Sequence, residues 1–370
     1  MLKYEALDDF DNVFAFKHML RAARKCVLGV GWKSSVQSFK AAMGLKVYRV
    51  FKRIRDTHRY KTKGFACVFD ITERGHARHI MSLSVEERMV QDTLRRYCLA
   101  PLLQSSFVYD NYACQEGKGY HLAIRRLRKH LSDHFRRHSR TGAILIYDFK
   151  GYFDSISHAL AMKLIDDKIS DADIRNMARQ FVDAFGGDKG LGLGSTISQP
   201  LALAAANGLD HKIREMARCG RSGRYMDDGW AIHESKEYLH KVLASIRRYA
   251  ESLGLHLSEK KTMIIDLRHP FVILKKRFHL LESGKVLAKI CRSSIARERR
   301  KLKKCKDKFL AGKMNDKEIY QAYQSWESYA RHGNAWHTIQ NMRRLYMRLF
   351  VDIPQDPDFV AWCDVPQEAA

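Results

Sequence analysis

The chain of 370 residues is 45% hydrophobic, and its 66 Lys and Arg against 41 Asp and Glu leave a formal net charge of +25. That apolar content excludes a disordered tail and can fill one large core or two to three cooperating units. The charge excess asks for a polyanionic partner, with nucleic acid ahead of an anionic surface or a ribosomal-type scaffold.

The opening MLKYEALDDFDNVF mixes acids with aromatics and does not resemble a secretory signal. Residues 11–60 repeat apolar positions at helical spacing, and CVFDITERGHARHIMSLS (67–84) alternates around a Gly, which predicts helices followed by a basic hairpin. SVEERMVQDTLRRYCLAPLL (84–103) predicts a helix that starts at Ser84, uses Glu87 as a capping box and stops at Pro101. A basic helix is expected over 120–138. GAILIYDF (142–149) reads as a strand ending in a carboxylate, and RYMDDGWAIH (224–233) as two short strands meeting at an acidic turn. Helices are expected over 171–185, 200–218 and 236–253. The apolar run 201–209 is broken by Asn207 and Gly208 and is too short for a bilayer, so no membrane partner and a cytoplasmic location are expected. Beyond Leu281 the chain turns strongly basic and then amphipathic to about Phe350, a separate helical module, and residues from Asp352 read as a loose tail. The eight cysteines show no C-x-x-C pair or following His pair, so reduced thiols are expected. The fold class is α+β.

Nucleotidyl transfer requires negative charge to be neutralised on the attacking and leaving oxygens together. Two hard cations about 4 Å apart do this, and they prefer carboxylate oxygens delivered by separate rigid elements. Asp148 at the end of one strand and Asp227 with Asp228 at the tip of a hairpin supply that set if one sheet pairs them. Taken singly, Asp148 also reads as a helix cap and the Asp-Asp-Gly run as an ordinary turn.

Tyr225-Met226-Asp227-Asp228, entered by Arg224 and left by Gly229-Trp230-Ala231-Ile232, resembles the palm hairpin of reverse transcriptases. Ile146-Tyr147-Asp148-Phe149-Lys150-Gly151-Tyr152-Phe153 resembles the first metal motif of that family. The resemblance runs over roughly 65–350 and is greatest to the prokaryotic branch holding group II intron, diversity-generating and defence-associated enzymes. It implies a right-hand polymerase of N-terminal helices and fingers (1–141), palm with inserted fingers helices (142–283), helical thumb (284–351) and tail (352–370). It implies two magnesium ions, with manganese as a substitute, on Asp148, Asp227, Asp228 and the backbone carbonyl of Phe149. Phe153 falls where the family keeps an aromatic against the sugar 2′ position, and it also reads as a core aromatic. Lys261, in Leu257-Ser258-Glu259-Lys260-Lys261-Thr262, would protonate departing pyrophosphate or is a solvated surface lysine. Arg74 and Arg78 resemble triphosphate-gripping residues, and Arg88 would brace the fold or template. Asp154 holds a position that is structural in the family.

One stretch departs from the family. Many members carry Gln-Gly and then Ser-Pro beneath the incoming base pair, whereas Gly192-Leu193-Gly194-Ser195-Thr196-Ile197-Ser198-Gln199 puts Leu193 for Gln and Gln199 for Pro. This pattern resembles diversity-generating and antiphage-defence relatives. It implies relaxed fidelity, or else a neutral packing variant.

In the C-terminal module, a basic helix near 297–308 and Tyr320, Tyr323, Trp326 and Tyr329 resemble a thumb gripping an RNA–DNA duplex, with those aromatics as bundle core. His332-Gly333-Asn334 with His337 lacks the support a metal nuclease needs. The residues after Phe350 are too few for an RNase H, endonuclease or DNA-binding domain. The expected activity is synthesis of cDNA from a dedicated structured non-coding RNA and deoxynucleoside triphosphates, in antiphage defence. Alternatives are an error-prone diversity-generating enzyme, a polymerase making untemplated or protein-primed DNA, and an inactive RNA-binding scaffold.

Overall fold

The computed structural model describes residues 6–73, 76–216 and 221–350. The chain divides into two compact units, one formed by residues 1–134 with 141–266, the other by 135–140 with 267–370.

The first unit begins with α1 (Phe10–Val13), α2 (Phe16–Cys26), α3 (Ser34–Ala41) and α4 (Met43–Thr57). Met19, Ala22, Ala23 and Cys26 recur at helical spacing on α2, and that stripe joins Val47, Val50 and Ile54 of α4 in the core. The predicted hairpin follows as β1 (Cys67–Glu73) and β2 (His76–Ser82).

Next come α5 (Val85–Leu94), a π-helical turn at Arg95–Leu99 and α6 (Ala100–Gln104). Ser84 caps α5 by accepting the Glu87 N–H at 3.1 Å. The expected reciprocal half of the box is replaced, because the buried Glu87 carboxylate accepts from Tyr60 Oη at 3.0 Å, Thr62 Oγ1 at 2.6 Å and Lys63 N at 3.1 Å. Pro101 does not stop the helix as expected. The π turn widens the ladder just before it, so the missing N–H and the ring fall at the start of α6.

Then α7 (Tyr120–His138), β3 (Ala143–Asp148), α8 (Tyr152–Ser155), α9 (His158–Asp166) and α10 (Ala172–Asp183) lead to α11 (Ser198–Ala205) and α12 (Asn207–Met216). The single helix expected over 200–218 is thus two helices meeting at Ala206, and residues 217–218 lie outside the described residues. The unit closes with β4 (Ser222–Tyr225), β5 (Asp228–His233), α13 (Lys236–Ser252) and β6 (Met263–Asp266). The order β4-β5-β3-β6 is antiparallel throughout, and all six residues of the central β3 are buried.

The second unit contains a sheet that the sequence reading missed: β7 (Phe271–Ile273), β8 (Lys276–Leu280) and β9 (Val286–Ile290), antiparallel in that order. Its signal was present in the alternation of Phe271 and Ile273, Phe278 and Leu280, and Ala288 and Ile290, all buried. Then α14 (Arg292–Leu310), α15 (Asp316–Arg331) and α16 (Trp336–Phe350) pack around Leu302, Ile319, Tyr323, Trp326, Met342 and Tyr346. Tyr323 and Trp326 are core, as expected. Asn334 fixes the turn before α16 to β9 through Ala288, and among the described residues no three or more His, Cys, Asp or Glu side chains close around a single ion position, at His332 and His337 or elsewhere. No helix among the described residues is long and apolar enough to cross a membrane.

Candidate active site

β3 and β5 run side by side with Asp148 directly opposite Asp228, and Asp227 occupies the two-residue turn between β4 and β5. Two carboxylates on facing strand positions repel each other, so this pairing works against the sheet unless a cation intervenes. Burial first, then the charges of Asp227 and Asp148 and a hydrogen bond with Asp148, push Asp228 up to about 7. Burial also raises Asp227, helped by Asp148 and opposed by Lys261 and Arg78.

The turn is held by a buried guanidinium. Met226 sits at φ +57°, a left-handed conformation that costs a non-glycine residue about 1–3 kcal/mol. Arg224, 1% exposed, donates to Met226 O at 2.8 Å and Leu203 O at 2.9 Å, and bidentately to Asp210 at 2.7 Å. Asn111 Nδ2 donates to the second Asp210 oxygen at 3.2 Å, and residues 110–112 pair along β4 through Arg224. Burial works against the Arg224 charge, but Asp210 and the neighbouring tyrosines hold its pKa above the ordinary value. Gly229 belongs to β5 rather than to the turn. A Cβ there would lie 2.1 Å from the Tyr147 ring.

Lys261 reaches the site by register. β6 pairs Met263 with Ile146, and the same progression carried two residues further sets Lys261 opposite Asp148. The Ser258 N–H donates to Asp148 O at 2.7 Å, and a turn from Ser258 returns the chain to β6. Lys261 Nζ then donates to both Asp148 oxygens. Burial lowers the Lys261 pKa, yet the hydrogen bond and the charges of the three aspartates leave it raised overall.

The other candidate residues divide. The Phe149 side chain is buried and stacks on Tyr152 at 4.8 Å, so only its backbone can face the aspartates; its N–H approaches Asp227 O at 3.4 Å. Phe153 is half-buried against the core, and its carbonyl accepts from Leu191 N at 2.9 Å. Leu193 is half-buried and pairs with β2, its carbonyl accepting from Met81 N at 2.8 Å. The flanking glycines permit that approach, since a Cβ at Gly192 or Gly194 would lie 2.5 Å from Met81 Sδ or 2.4 Å from Met81 O. Ser195 anchors the loop on Gln91 at 2.7 Å, and Gln199 is exposed on α11. Arg78 is exposed on β2 and its charge is felt at Asp227. Arg74 lies outside the described residues. Arg88 donates to Leu83 O at 3.4 Å, a bracing contact within the fold. Sequence reasoning missed Arg224 and Asp210. A lone Arg entering an acidic hairpin was the available signal.

The three aspartates offer only oxygen donors, which suits magnesium-type cations, and an ammonium already sits on Asp148. They do not close a three-carboxylate cage around one point among the described residues. A magnesium site completed by substrate phosphates needs only one or two carboxylates per ion, so the donor set fits an open two-ion arrangement.

Residues 70–288, more than half of the chain, match the family model described as reverse transcriptase (RNA-dependent DNA polymerase). The chain belongs to the reverse transcriptase family. Over residues 70–288 it carries the reverse transcriptase domain, with mixed helix and sheet content. In structure it is similar to apo telomerase from Candida tropicalis truncated from its C-terminal domain, with 14% identity over 61% of this chain and 54% of that one, TM-score 0.46. Telomerase from Candida albicans in complex with a TWJ fragment of telomeric RNA shares 11% identity over 88% and 71%, TM-score 0.46. An RNA-dependent RNA polymerase of a human picobirnavirus, with an insertion loop deleted, shares 13% over 61% and 47%, TM-score 0.39. The chain spans about half the length of the first Candida tropicalis structure. No curated protein matches the sequence.

Proposed function

We propose that this reverse transcriptase copies a dedicated structured non-coding RNA into cDNA by two-metal nucleotidyl transfer, in antiphage defence. The observation that carries the chemistry is the Asp148–Asp228 pair across β3 and β5, with Asp227 at the adjoining turn. Two magnesium ions bound there, or manganese in their place, would neutralise the attacking 3′ oxygen and the leaving pyrophosphate oxygen. Asp148, Asp227, Asp228 and the carbonyl of Phe149 would hold them. Lys261, which donates to Asp148, would give a proton to the departing pyrophosphate. Arg78 on β2 would grip the triphosphate of the deoxynucleotide, and Arg74 is proposed for the same task from its sequence position. Phe153 would close the sugar site, with Leu193 and Gln199 near the nascent pair. The RNA–DNA duplex would lie against the basic α14.

The prokaryotic branch and the defence setting rest on family likeness over roughly residues 65–350, and the Leu193 to Gln199 stretch fits both. That same stretch favours a second reading, an error-prone enzyme of a diversity-generating element, because Leu193 cannot hydrogen-bond a base pair. Primer extension on an RNA template, with Asp227→Ala as control, tests the activity. Extension that survives in the variant, or that proceeds without template, would overturn it.

A further inference from the structure

The family match begins at residue 70, and the helices before it have their own charge pattern. Residues 10–69, from the start of α1, contain 14 Lys and Arg against two acids, Asp11 and Asp56, whereas the whole chain carries 66 against 41. Lys17, Arg21, Arg24 and Lys25 lie exposed along α2, and Arg49 and Lys52 along α4. Arg53 and Lys63 are partly offset by Glu86.

Aromatic rings are interleaved with this charge. Tyr48 is 51% exposed and meets Phe16 and Phe51 at 6.3 Å each, while Phe16 and Phe51 lie 5.6 Å apart. The Arg55 guanidinium stands over Phe51 at 5.8 Å. Trp32, at the start of α3, is 77% exposed with Lys33 Nζ 5.3 Å from its ring. A half-open cavity of about 380 Å³ is lined by Phe10, Phe14, Phe16 and Phe51, with Lys17 and Arg55 at its wall together with one acid, Asp11, which lies 3.5 Å from His58 Nε2. It shares no residue with the aspartate site.

A buried apolar core would explain rings that point inward, but not the exposed rings of Trp32 and Tyr48 within a strongly basic face. Phosphate groups match the lysines and arginines, and a nucleobase matches a ring-lined hollow flanked by guanidinium. We propose that α1–α4 form a second RNA-docking surface, which seats an unpaired nucleobase against the Tyr48 ring, beside the Phe16 and Phe51 rings that line this cavity, and holds the adjoining phosphates on the basic faces of α2 and α4. RNA rather than DNA as the polyanion rests on the polymerase reading above. The site would hold the folded part of the template RNA while the copied strand occupies the palm.

The test is binding of the full chain to a stem-loop RNA and to the same stem closed as a fully paired duplex, measured across a salt series. Tyr48→Ala should weaken stem-loop binding on the order of tenfold and leave duplex binding unchanged. Arg49→Ala with Lys52→Ala should weaken both and flatten the salt dependence by about one unit of slope per lost phosphate contact. Both variants should extend oligo(dT) on poly(rA) at the parental rate. Unchanged stem-loop affinity in both variants would overturn the docking surface, whether the face is idle or meets a protein instead. Equal losses on stem-loop and duplex with Tyr48→Ala would overturn the nucleobase seat. A parental chain that binds the stem-loop through these residues yet never extends a primer would sink the polymerase reading and leave this surface standing.

Discussion

Lys261 Nζ lies 3.0 and 2.9 Å from the two carboxylate oxygens of Asp148, so one ammonium spans the acid that faces Asp228 across the sheet. It offsets, within the protein, the repulsion that a metal pair would otherwise have to relieve. Lys261→Met should therefore lower the thermal stability of the magnesium-free protein and enlarge the stabilisation that added magnesium gives. Its rate of nucleotide addition should fall by about 10²-fold or more if the ammonium also serves as an acid. Identical magnesium-induced shifts in parent and variant would separate Lys261 from the metal site.

Arg224 and Asp210 form an ion pair with side chains 1% and 4% exposed. Removing one partner of such a pair costs about 3–5 kcal/mol, because the other charge stays buried. Asp210→Asn should show that loss by urea unfolding. Arg224→Lys keeps the charge but cannot fork to Asp210 while reaching both Met226 O and Leu203 O. It should fold with a loosened turn and bind manganese more weakly, as read by paramagnetic relaxation. Unaltered manganese affinity would leave Arg224 a purely structural residue.

Gly194 has φ +116° and its backbone abuts Met81. Gly194→Ala should displace the Leu193 loop from β2, expose the β1–β2 hairpin to limited proteolysis and lower nucleotide kcat/KM on the order of tenfold. Unchanged proteolysis would show that the loop does not brace the hairpin.

On the proposed reading Leu193 lies near the nascent pair, and Leu193→Gln would put an amide there. Sequencing the cDNA should show fewer misincorporations, and the same error spectrum in both proteins would remove Leu193 from fidelity.

His130 is held at about 4, chiefly by burial, with Arg126 and Lys129 adding to the effect and Asp110 and Asp133 opposing it. Its Nδ1 accepts from Trp230 Nε1 at 3.4 Å, and Nε2 stands 3.8 Å from Asp110. A folded pKa below the unfolded value of 6.5 means that the unfolded chain takes up the proton first. Stability contributed by this residue is complete above about 6.5 and is lost as pH falls toward 4. His130→Gln should lose roughly 2 kcal/mol less than the parent between pH 7 and 5 by urea unfolding. Equal losses would place the acid sensitivity elsewhere.

The sequence made the aspartates legible because Asp148 closes one short β-type run and Asp227 and Asp228 stand where two others meet, and strand pairing then has few ways to leave Asp148 and Asp228 apart. The helix over 120–138 and the helix after Ser235 were equally plain from apolar spacing. What stayed hidden depended on partners distant in the chain. Lys261 meets Asp148 through the register of β6, and Glu87 abandons its cap for Tyr60 and Thr62. Pro101 reads as a stop only if the preceding turn is α-helical, and a π turn leaves no mark in composition. The strands of the second unit are three to five residues long, too short to stand out among basic neighbours.

The β1–β2 hairpin has its two long edges in different states. The β2 edge is engaged by Leu193, whereas β1 presents Val68, Phe69 and Ile71 partly exposed and pairs, among the described residues, with β2 alone. Unmet amide and carbonyl groups beside bare apolar side chains invite a second molecule to add its own strand. In concentrated solution this ribbon is where copies of the chain would begin to aggregate, and a polynucleotide lying across it would act as a shield against that fate.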